Sequence, residues 1–191
     1  MTALNRPEDI PYIYERLPTL NDRQSFVRLR EGIFKLFPIV GYPKVINALQ
    51  RLNEVVPASI KADVTGSSRT QNKWEDVLAQ RERGLAMFET TYGQHSQRVM
   101  DSLQACHPDM AETAITHLYG PIISDTTVLS TQDTSLIYVA GLMAQNLPEQ
   151  LKGHWYGAQH HGATVEALEE VRRLVELTCG YYGVGLSSGG Q

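Results

Sequence analysis

The sequence predicts an all-α protein, and three observations support that fold class. Apolar residues recur at intervals of three and four along most of the chain, as they do on one face of a helix. Proline and glycine separate these stretches, at positions where helices start and stop. No stretch alternates apolar and polar residues beside a hairpin turn such as Asn-Gly, which is the pattern of paired strands.

The first part of the chain is predicted to form three helices followed by a linker. The helices run from Arg6 to Pro18, from Asp22 to Val40 and from Pro43 to Pro57. Gly41 follows the second helix at the C′ position, where glycine is favoured. Residues 58–73 are mostly polar and contain a Gly-Ser-Ser stretch, so we expect a linker or loop there.

The remainder of the chain is predicted to form further helices, at 74–92, 96–106, 107–119, 133–146, 149–161 and 164–179. The helix at 133–146 is apolar almost all round, so we expect it to be buried. Ser130 and Asp133 have the spacing of a capping box at its start. Pro148 separates this helix from the next one, and the two are therefore expected to form a helical hairpin.

Composition argues against several function classes. The chain of 191 residues carries 17 basic and 21 acidic residues, a net charge of −4, whereas nucleic-acid-binding proteins normally present a basic patch. Its longest apolar run, Leu136 to Ala144, is much shorter than the roughly 20 residues of a membrane-spanning helix. We therefore expect no nucleic-acid partner and no membrane partner.

Cysteine use and the chain ends lead to an expectation about location. The two cysteines, Cys106 and Cys179, have neither the spacing of a redox pair nor that of a zinc site. No secretory leader is visible, and the final residues do not match a peroxisomal or reticulum-retention tripeptide. We therefore expect a cytoplasmic or other reducing intracellular compartment.

A weak internal repeat is also present. Glu31 precedes Gly41-Tyr42 by ten residues, and Glu170 precedes Gly180-Tyr181 by the same interval. Both pairs follow an apolar helix, and a repeat of this kind indicates a fold built from two related units.

Five short motifs stand out in the second part of the chain: Arg-Glu-Arg-Gly-Leu at 81–85, His-Leu-Tyr-Gly at 117–120, Thr-Ser-Leu-Ile-Tyr-Val-Ala-Gly-Leu at 134–142, Leu-Pro-Glu-Gln-Leu-Lys-Gly-His at 147–154 and Gly-Ala-Gln-His-His-Gly-Ala-Thr at 157–164. Together they resemble the carboxymuconolactone decarboxylase family, which shares its fold with alkylhydroperoxidase D. The earlier stretch from Glu31 to Leu49 resembles the closing helix pair of the same family. The resemblance covers residues 3–57 and 78–186.

The resemblance implies an alkylhydroperoxidase D-like helical fold of two related helical repeats, the first of them incomplete. We accordingly expect a partial repeat at 1–57, the linker at 58–73 and a carboxymuconolactone decarboxylase-like helical domain at 74–191. The family further implies self-assembly as a homotrimer or a homohexamer.

The chain departs from the peroxidase branch of the family at the reacting residues. That branch carries Cys-x-x-Cys-x-x-x-His, and its two cysteine positions correspond here to Leu147 and Gln150, so that only His154 is kept. Neither replacement can form a thiolate or a disulfide, which excludes disulfide-linked peroxidase chemistry at this position. The acidic residue of the family corresponds to Ser135, so the proton-relay carboxylate is missing as well.

The helix at 149–161 carries the candidate catalytic residue. Residues 147, 150, 154, 158 and 161 share one of its faces, while His160 points about 120° away from His154. An imidazole titrates near neutral pH, and we predict that His154 is a general acid or base. We hypothesise that a neighbour on the buried helix orients it, with Ser135 the nearest candidate. The candidate substrate-binding residues are Ser135, Tyr138, Gln150, His161 and Tyr119.

Two structural interpretations stand beside these assignments. His161 precedes Gly162 and also fits a residue that complements the C-terminal dipole of its helix. A metal site made of His154, His160 and His161 would lack both a recognised zinc spacing and a carboxylate. We therefore predict no metal and no cofactor.

The predicted function is a cofactor-independent lyase or isomerase, decarboxylase-like, that acts on a small organic acid, lactone or polyketide-like metabolite through a histidine acid or base. The alternative is a catalytically inactive family member that serves as a binding or assembly protein, because both thiols and the carboxylate are missing. A peroxidase that uses Cys106 or Cys179 is a weaker third hypothesis, since neither cysteine has a partner near it in sequence.

Overall fold

The computed structural model describes residues 1–16, 22–61, 66 and 69–186. The described residues form helices and turns and contain no β-strand, which confirms the all-α prediction. They also contain no helix that is long and apolar enough to cross a membrane.

The described residues of the N-terminal part form five short helices that pack around one apolar cluster. They are α1 (Ile10–Arg16), α2 (Arg23–Lys35), α3 (Phe37–Val40), α4 (Tyr42–Val55) and α5 (Ala58–Lys61), preceded by a 3₁₀ turn at Pro7–Asp9. Asp22 caps α2 by accepting a hydrogen bond from the Ser25 backbone N–H at 2.9 Å. Tyr14, Phe26, Val45 and Leu52 are buried together in the cluster between α1, α2 and α4.

The second part holds the longer helices. They are α6 (Trp74–Tyr92), α7 (Ser96–Cys106), α8 (Met110–Thr113), a π-helix (Ala114–Ile123), α9 (Thr131–Ala144), α10 (Pro148–His160) and α11 (Val165–Tyr181). The capping box of Ser130 and Asp133 is present at the start of α9. Helices α9 and α10 form the expected hairpin, and Val139 and Ala158 are fully buried between them.

Two helices differ from their predicted bounds. The helix predicted over 22–40 is divided at Leu36 into α2 and α3. The pattern indicated a helix over 107–119 that ends before Pro121, whereas the chain continues from α8 as a π-helix to Ile123. Pro121 has no backbone N–H, and its ring disfavours the ordinary α-helical hydrogen bond. The wider turn accommodates it, and the Ser124 N–H donates to the Tyr119 carbonyl, five residues back, at 2.9 Å.

The predicted linker is only partly described. Residues 58–61 form α5, residues 69–73 lead into α6, and 62–65, 67 and 68 lie outside the described residues. The division at 1–57, 58–73 and 74–191 stays a prediction.

Helix α6 and the π-helix touch backbone to backbone at Gly84 and Gly120. A Cβ atom added at Gly84 would lie 2.4 Å from the Gly120 nitrogen, and one added at Gly120 would lie 2.9 Å from the Gln80 carbonyl oxygen. Side chains of any size would therefore push the two helices apart. This contact places Tyr119, the residue before Gly120, beside the C-terminal half of α6.

A substitution at this crossing tests how tightly it is packed. We expect Gly84→Ala to lower the free energy of unfolding by at least about 2 kcal/mol, because the new methyl group meets rigid backbone. Gly180→Ala is the matched control, since nothing lies within 4 Å of a Cβ atom there and alanine is the better helix former. Urea denaturation of both variants measures the difference, and equal stabilities would contradict the close crossing.

Candidate functional site

His154 lies on α10, where two glycines let the end of α6 approach closely. A Cβ atom at Gly153 would lie 3.0 Å from Tyr92 Cε1, and one at Gly157 would lie 2.6 Å from Thr91 Cγ2. These glycines are four residues apart on one face of the helix, so together they form a shallow notch. The last turn of α6 fits into it and brings Tyr92 next to His154.

His154 is partly buried between two tyrosine rings. Its Nε2 atom lies 3.4 Å from the Tyr92 hydroxyl, and its ring centroid lies 5.4 Å from that of Tyr138. The expected orienting residue, Ser135, makes a different contact, because its hydroxyl donates to the Thr131 carbonyl of its own helix at 2.8 Å. Tyr92 therefore holds the position that we had expected Ser135 to hold.

The buried hydroxyl groups of Tyr119 and Tyr138, near His154, have no hydrogen-bond partner of good geometry among the described residues, and the Tyr119 hydroxyl interacts with that of Tyr92. Buried polar groups nearly always have a hydrogen-bond partner, so two neighbouring hydroxyls without a well-formed hydrogen bond need an explanation. Burial raises the pKa of both hydroxyls well above 10, and the neighbouring Tyr92 acts in the same direction on each. Both phenols stay protonated at neutral pH and remain available as hydrogen-bond donors.

His154 is uncharged at neutral pH. Burial, followed by the influence of nearby His161, lowers its pKa from about 6.5 to about 4. No carboxylate hydrogen bonds to it within the described ranges. Its hydrogen-bonding neighbourhood is therefore made of neutral groups.

His161 and His160 contact the last turn of α6 rather than His154. His161 Nε2 lies 3.0 Å from the Thr91 hydroxyl, whose single hydrogen is donated to the Met87 carbonyl at 2.8 Å. His161 must therefore donate from Nε2 in its neutral form. The exposed His160 donates from Nδ1 to the Thr90 carbonyl at 3.0 Å. His160 thus satisfies a backbone carbonyl at the C-terminal end of α6, whereas His161 hydrogen bonds to a side-chain hydroxyl there.

Comparisons with known proteins agree with this architecture. The family model described as "Carboxymuconolactone decarboxylase family" matches residues 108–183. "Peroxisomal protein 2" of Schizosaccharomyces pombe is 32% identical over 182 residues, which cover 94% of this chain and 83% of that protein.

The chain belongs to the carboxymuconolactone decarboxylase family. A second relative, "Peroxisomal protein 2" of Saccharomyces cerevisiae, is 30% identical over 191 residues, covering 90% of this chain and 68% of that protein. No solved structure matches the chain significantly.

Within this family member, the structure brings together three of the residues singled out from sequence. Tyr119 from the π-helix, Tyr138 from α9 and His154 from α10 surround the Tyr92 hydroxyl. His161 lies two turns further along, on Thr91. Ser135 is buried but bonded to its own helix, and the side chain of Gln150 is exposed at the start of α10. Their roles in substrate binding stay predictions.

Sequence reasoning missed Tyr92 and Thr91. Both lie at the end of α6, directly before Gly93, where a helix end is visible in the sequence but its spatial neighbour is not. The paired glycines at 153 and 157 are the one available signal, because small residues four apart on a helix permit a close neighbour.

The described residues contain neither a cluster of metal ligands nor a pair of neighbouring thiols. No group of three or more His, Cys, Asp or Glu side chains in the described ranges could hold a metal ion. Cys106 is exposed at the end of α7, Cys179 is buried in α11, and both are free thiols.

The lowered pKa of His154 predicts a pH dependence of stability. Between about pH 6.5 and pH 4 the unfolded chain binds a proton at this residue and the folded protein does not. The free energy of unfolding should therefore fall as the pH drops through this window, by up to about 3 kcal/mol from this group. In His154→Gln the fall should be shallower, as measured by urea denaturation at several pH values. Parallel curves for the two proteins would show that His154 is not desolvated.

Proposed function

We propose that this protein is a cofactor-independent lyase or isomerase that forms an enolate from a small organic acid, lactone or polyketide-like compound. The observation that carries the proposal is the pair of buried tyrosine hydroxyls in this cluster: that of Tyr138, beside His154 and without a partner among the described residues, and that of Tyr119, whose neighbour is the Tyr92 hydroxyl. An unpartnered buried donor is unfavourable in the free protein and becomes favourable once a ligand oxygen accepts its hydrogen bond. A carbonyl oxygen of the substrate is such an acceptor.

The two phenols suit an oxygen on which negative charge develops. They are neutral and fixed in an environment of low polarity, where a hydrogen bond to a charged oxygen is strong. The apolar Phe88 ring packs against Tyr119, with ring centroids 5.1 Å apart, and helps to exclude water. Such donors stabilise an enolate more than the ketone from which it forms, and this difference is what lowers a barrier.

His154 is proposed to move the proton. In an isomerisation its Nε2 atom takes a proton from the carbon beside the carbonyl, the electron pair moves to the carbonyl oxygen, and the imidazolium returns the proton at another carbon. In a decarboxylation the substrate binds as the carboxylic acid and gives its carboxyl proton to Nε2. The C–C bond then breaks, carbon dioxide leaves and the bonding electron pair moves to the carbonyl oxygen, after which the imidazolium of His154 returns the proton to the carbon that lost the carboxyl group. The enolate charge raises the pKa of His154 during either reaction, which offsets its low value in the free protein.

A set of conservative substitutions tests the mechanism in an activity screen on β-keto acids and lactones. We expect Tyr119→Phe and Tyr138→Phe each to lower kcat by about 10²- to 10³-fold, as the loss of one oxyanion donor does. His154→Gln should lower kcat by about 10²- to 10⁴-fold. Stability should be kept in Tyr138→Phe, because it removes a buried hydroxyl without a partner, and should fall by no more than about 1 kcal/mol in Tyr119→Phe, whose hydroxyl interacts with that of Tyr92.

Tyr14→Phe is the matched control for these variants. The Tyr14 hydroxyl is also buried without a partner, but it lies in the N-terminal apolar cluster. The Tyr14→Phe substitution should leave kcat unchanged, and so should His160→Gln on the exposed side of α10. Full activity in His154→Gln and in both site tyrosine variants would overturn the proposal.

A catalytically inactive binding or assembly protein remains the second candidate, favoured by the absence of the family thiols and of the carboxylate at Ser135. The two candidates share the same cluster, so a ligand that binds it without being turned over separates them. Tight binding of keto acids with no detectable product would favour the second candidate.

Assembly and location are further proposals. A homotrimer or homohexamer is supported by the exposed apolar side chains of Leu174, Leu177 and Tyr181 on α11, and sedimentation analysis tests it. A peroxisomal location is supported by the name that both yeast relatives carry, and it replaces the general expectation of a reducing compartment. Co-localisation of a fluorescent fusion with a peroxisomal marker tests it.

A further inference from the structure

The C-terminal end of the π-helix is held by side chains from three other parts of the chain. The Gly120 carbonyl accepts from Arg83 Nη2 at 3.1 Å, and the Pro121 carbonyl accepts from Arg69 Nε at 2.8 Å. The Ile123 carbonyl accepts from Lys35 Nζ at 3.0 Å. We call Lys35, Arg69 and Arg83 the cationic collar of the π-helix.

Lys35 is the most deeply buried member of the collar. Its side chain is fully enclosed, and its ammonium group donates to the carbonyls of Ile123 and Asp125 and, at 2.9 Å, to the Thr134 hydroxyl. Three donors and three acceptors match, so the ammonium group has no hydrogen left for a ligand. Burial lowers the pKa of Lys35 to about 8, which still leaves it mostly charged at neutral pH.

Two buried carboxylates offset two of the three positive charges of the collar. Arg69 pairs with Glu31 through both of its terminal nitrogens, and its Nη2 atom lies 3.8 Å from Asp125. Glu31 and Asp125 are both buried. Removing one member of such a network leaves an unpaired buried charge, so the collar is a fixed structure rather than a surface contact.

The carbonyl groups at the end of any helix carry partial negative charge and lack intrahelical partners. Here the end is also irregular, because Pro121 interrupts the hydrogen bonding, and the first collared carbonyl directly follows Tyr119. A shift of this end would move the Tyr119 ring. We propose that Lys35, Arg69 and Arg83 are positioning residues that hold the Tyr119 hydroxyl where it meets the substrate oxygen. This inference rests on the proposed function for its chemistry.

The collar also gives the N-terminal part of the chain a role. Lys35 comes from α2 and Arg69 from the segment before α6, and both lie outside the matched family region at 108–183. Tyr119, Tyr138 and His154 lie inside that region. The part of the chain before residue 108 thus positions the Tyr119 hydroxyl, which lies within the matched region at 108–183.

The probe for the test is 4-nitrophenol, whose phenolate oxygen imitates an enolate and whose colour reports its ionised fraction. We expect Arg69→Gln and Arg83→Met each to weaken binding by about tenfold and to lower the ionised fraction of the bound probe, and we expect the same of Tyr119→Phe. Lys35→Met should act in the same way. If it fails to fold, the variants at Arg69 and Arg83 decide.

Lys44→Met is the matched control. Lys44 is a second lysine that joins the N-terminal part to α9, through the Ala3 carbonyl at 2.9 Å and Gln145 Oε1 at 3.2 Å, but it does not touch the π-helix. It should change the melting temperature without changing probe affinity or ionisation. The control therefore distinguishes a general loss of stability from the expected loss of probe affinity and ionisation.

A double-mutant cycle tests whether the collar acts through Tyr119. In the Tyr119→Phe background, Arg69→Gln should weaken binding by less than twofold further, because the donor it positions is already absent. Additive effects would overturn the inference. So would unchanged binding in both arginine variants while Tyr119→Phe and Tyr138→Phe still weaken it, and that result would leave the proposed function intact.

Failure of the probe to bind would count against the proposed function alone. A second measurement, which does not need the probe, then tests the inference. The ring signals of Tyr119 in the NMR spectrum of protein with labelled tyrosine, assigned by their loss in Tyr119→Phe, should shift in the collar variants and stay in place in Lys44→Met. Unmoved signals in Arg69→Gln and Arg83→Met would overturn the inference.

Discussion

The arrangement of the candidate site depends on how closely α6 approaches its two neighbours. Gly84 and Gly120 bring its backbone against the π-helix, and Gly157 brings α10 against Thr91. Helices with ordinary side chains at their crossing lie about 8–10 Å apart, which would separate Tyr92 from His154 and from Tyr119. The hydroxyl groups and the imidazole come into contact because glycines, which have no side chain, occupy the helix crossings.

The fold keeps neutral and charged buried groups in separate places. The site consists of three phenols and an imidazole that is neutral at pH 7, whereas the charges of Lys35, Glu31, Arg69 and Asp125 lie at the end of the π-helix. Burial of the charged groups is tolerated because each lies near an opposite charge. Burial of the phenols and the imidazole requires no opposite charge because these groups are neutral. The π-helix is the one element that belongs to both.

The sequence predicted the helices well and the site only in part. Periodicity, Pro148 and the Ser130 capping box located α9 and α10, because these signals are local. Tyr119, Tyr138 and His154 were found through their family positions. Tyr92 and the contacts of Lys35 were not, since they depend on helices far apart in sequence, and Lys35 donates across 88 residues to Ile123. The π-helix was missed because Pro121 ordinarily ends a helix.

The substitutions that set this chain apart from the peroxidase branch concern the reacting groups and leave the surrounding frame in place. The resemblance implies that Leu147 and Gln150 occupy the positions of the reacting thiols and that Ser135 occupies the position of the proton-relay carboxylate. His154 keeps its place on α10, but its hydrogen-bond partner is a phenol and its pKa is low. A site of neutral donors cannot transfer electrons through a disulfide, yet it is suited to stabilise an oxygen that gains charge. Under the proposed function, this change in residues is therefore a change in the kind of chemistry that the same helical frame supports.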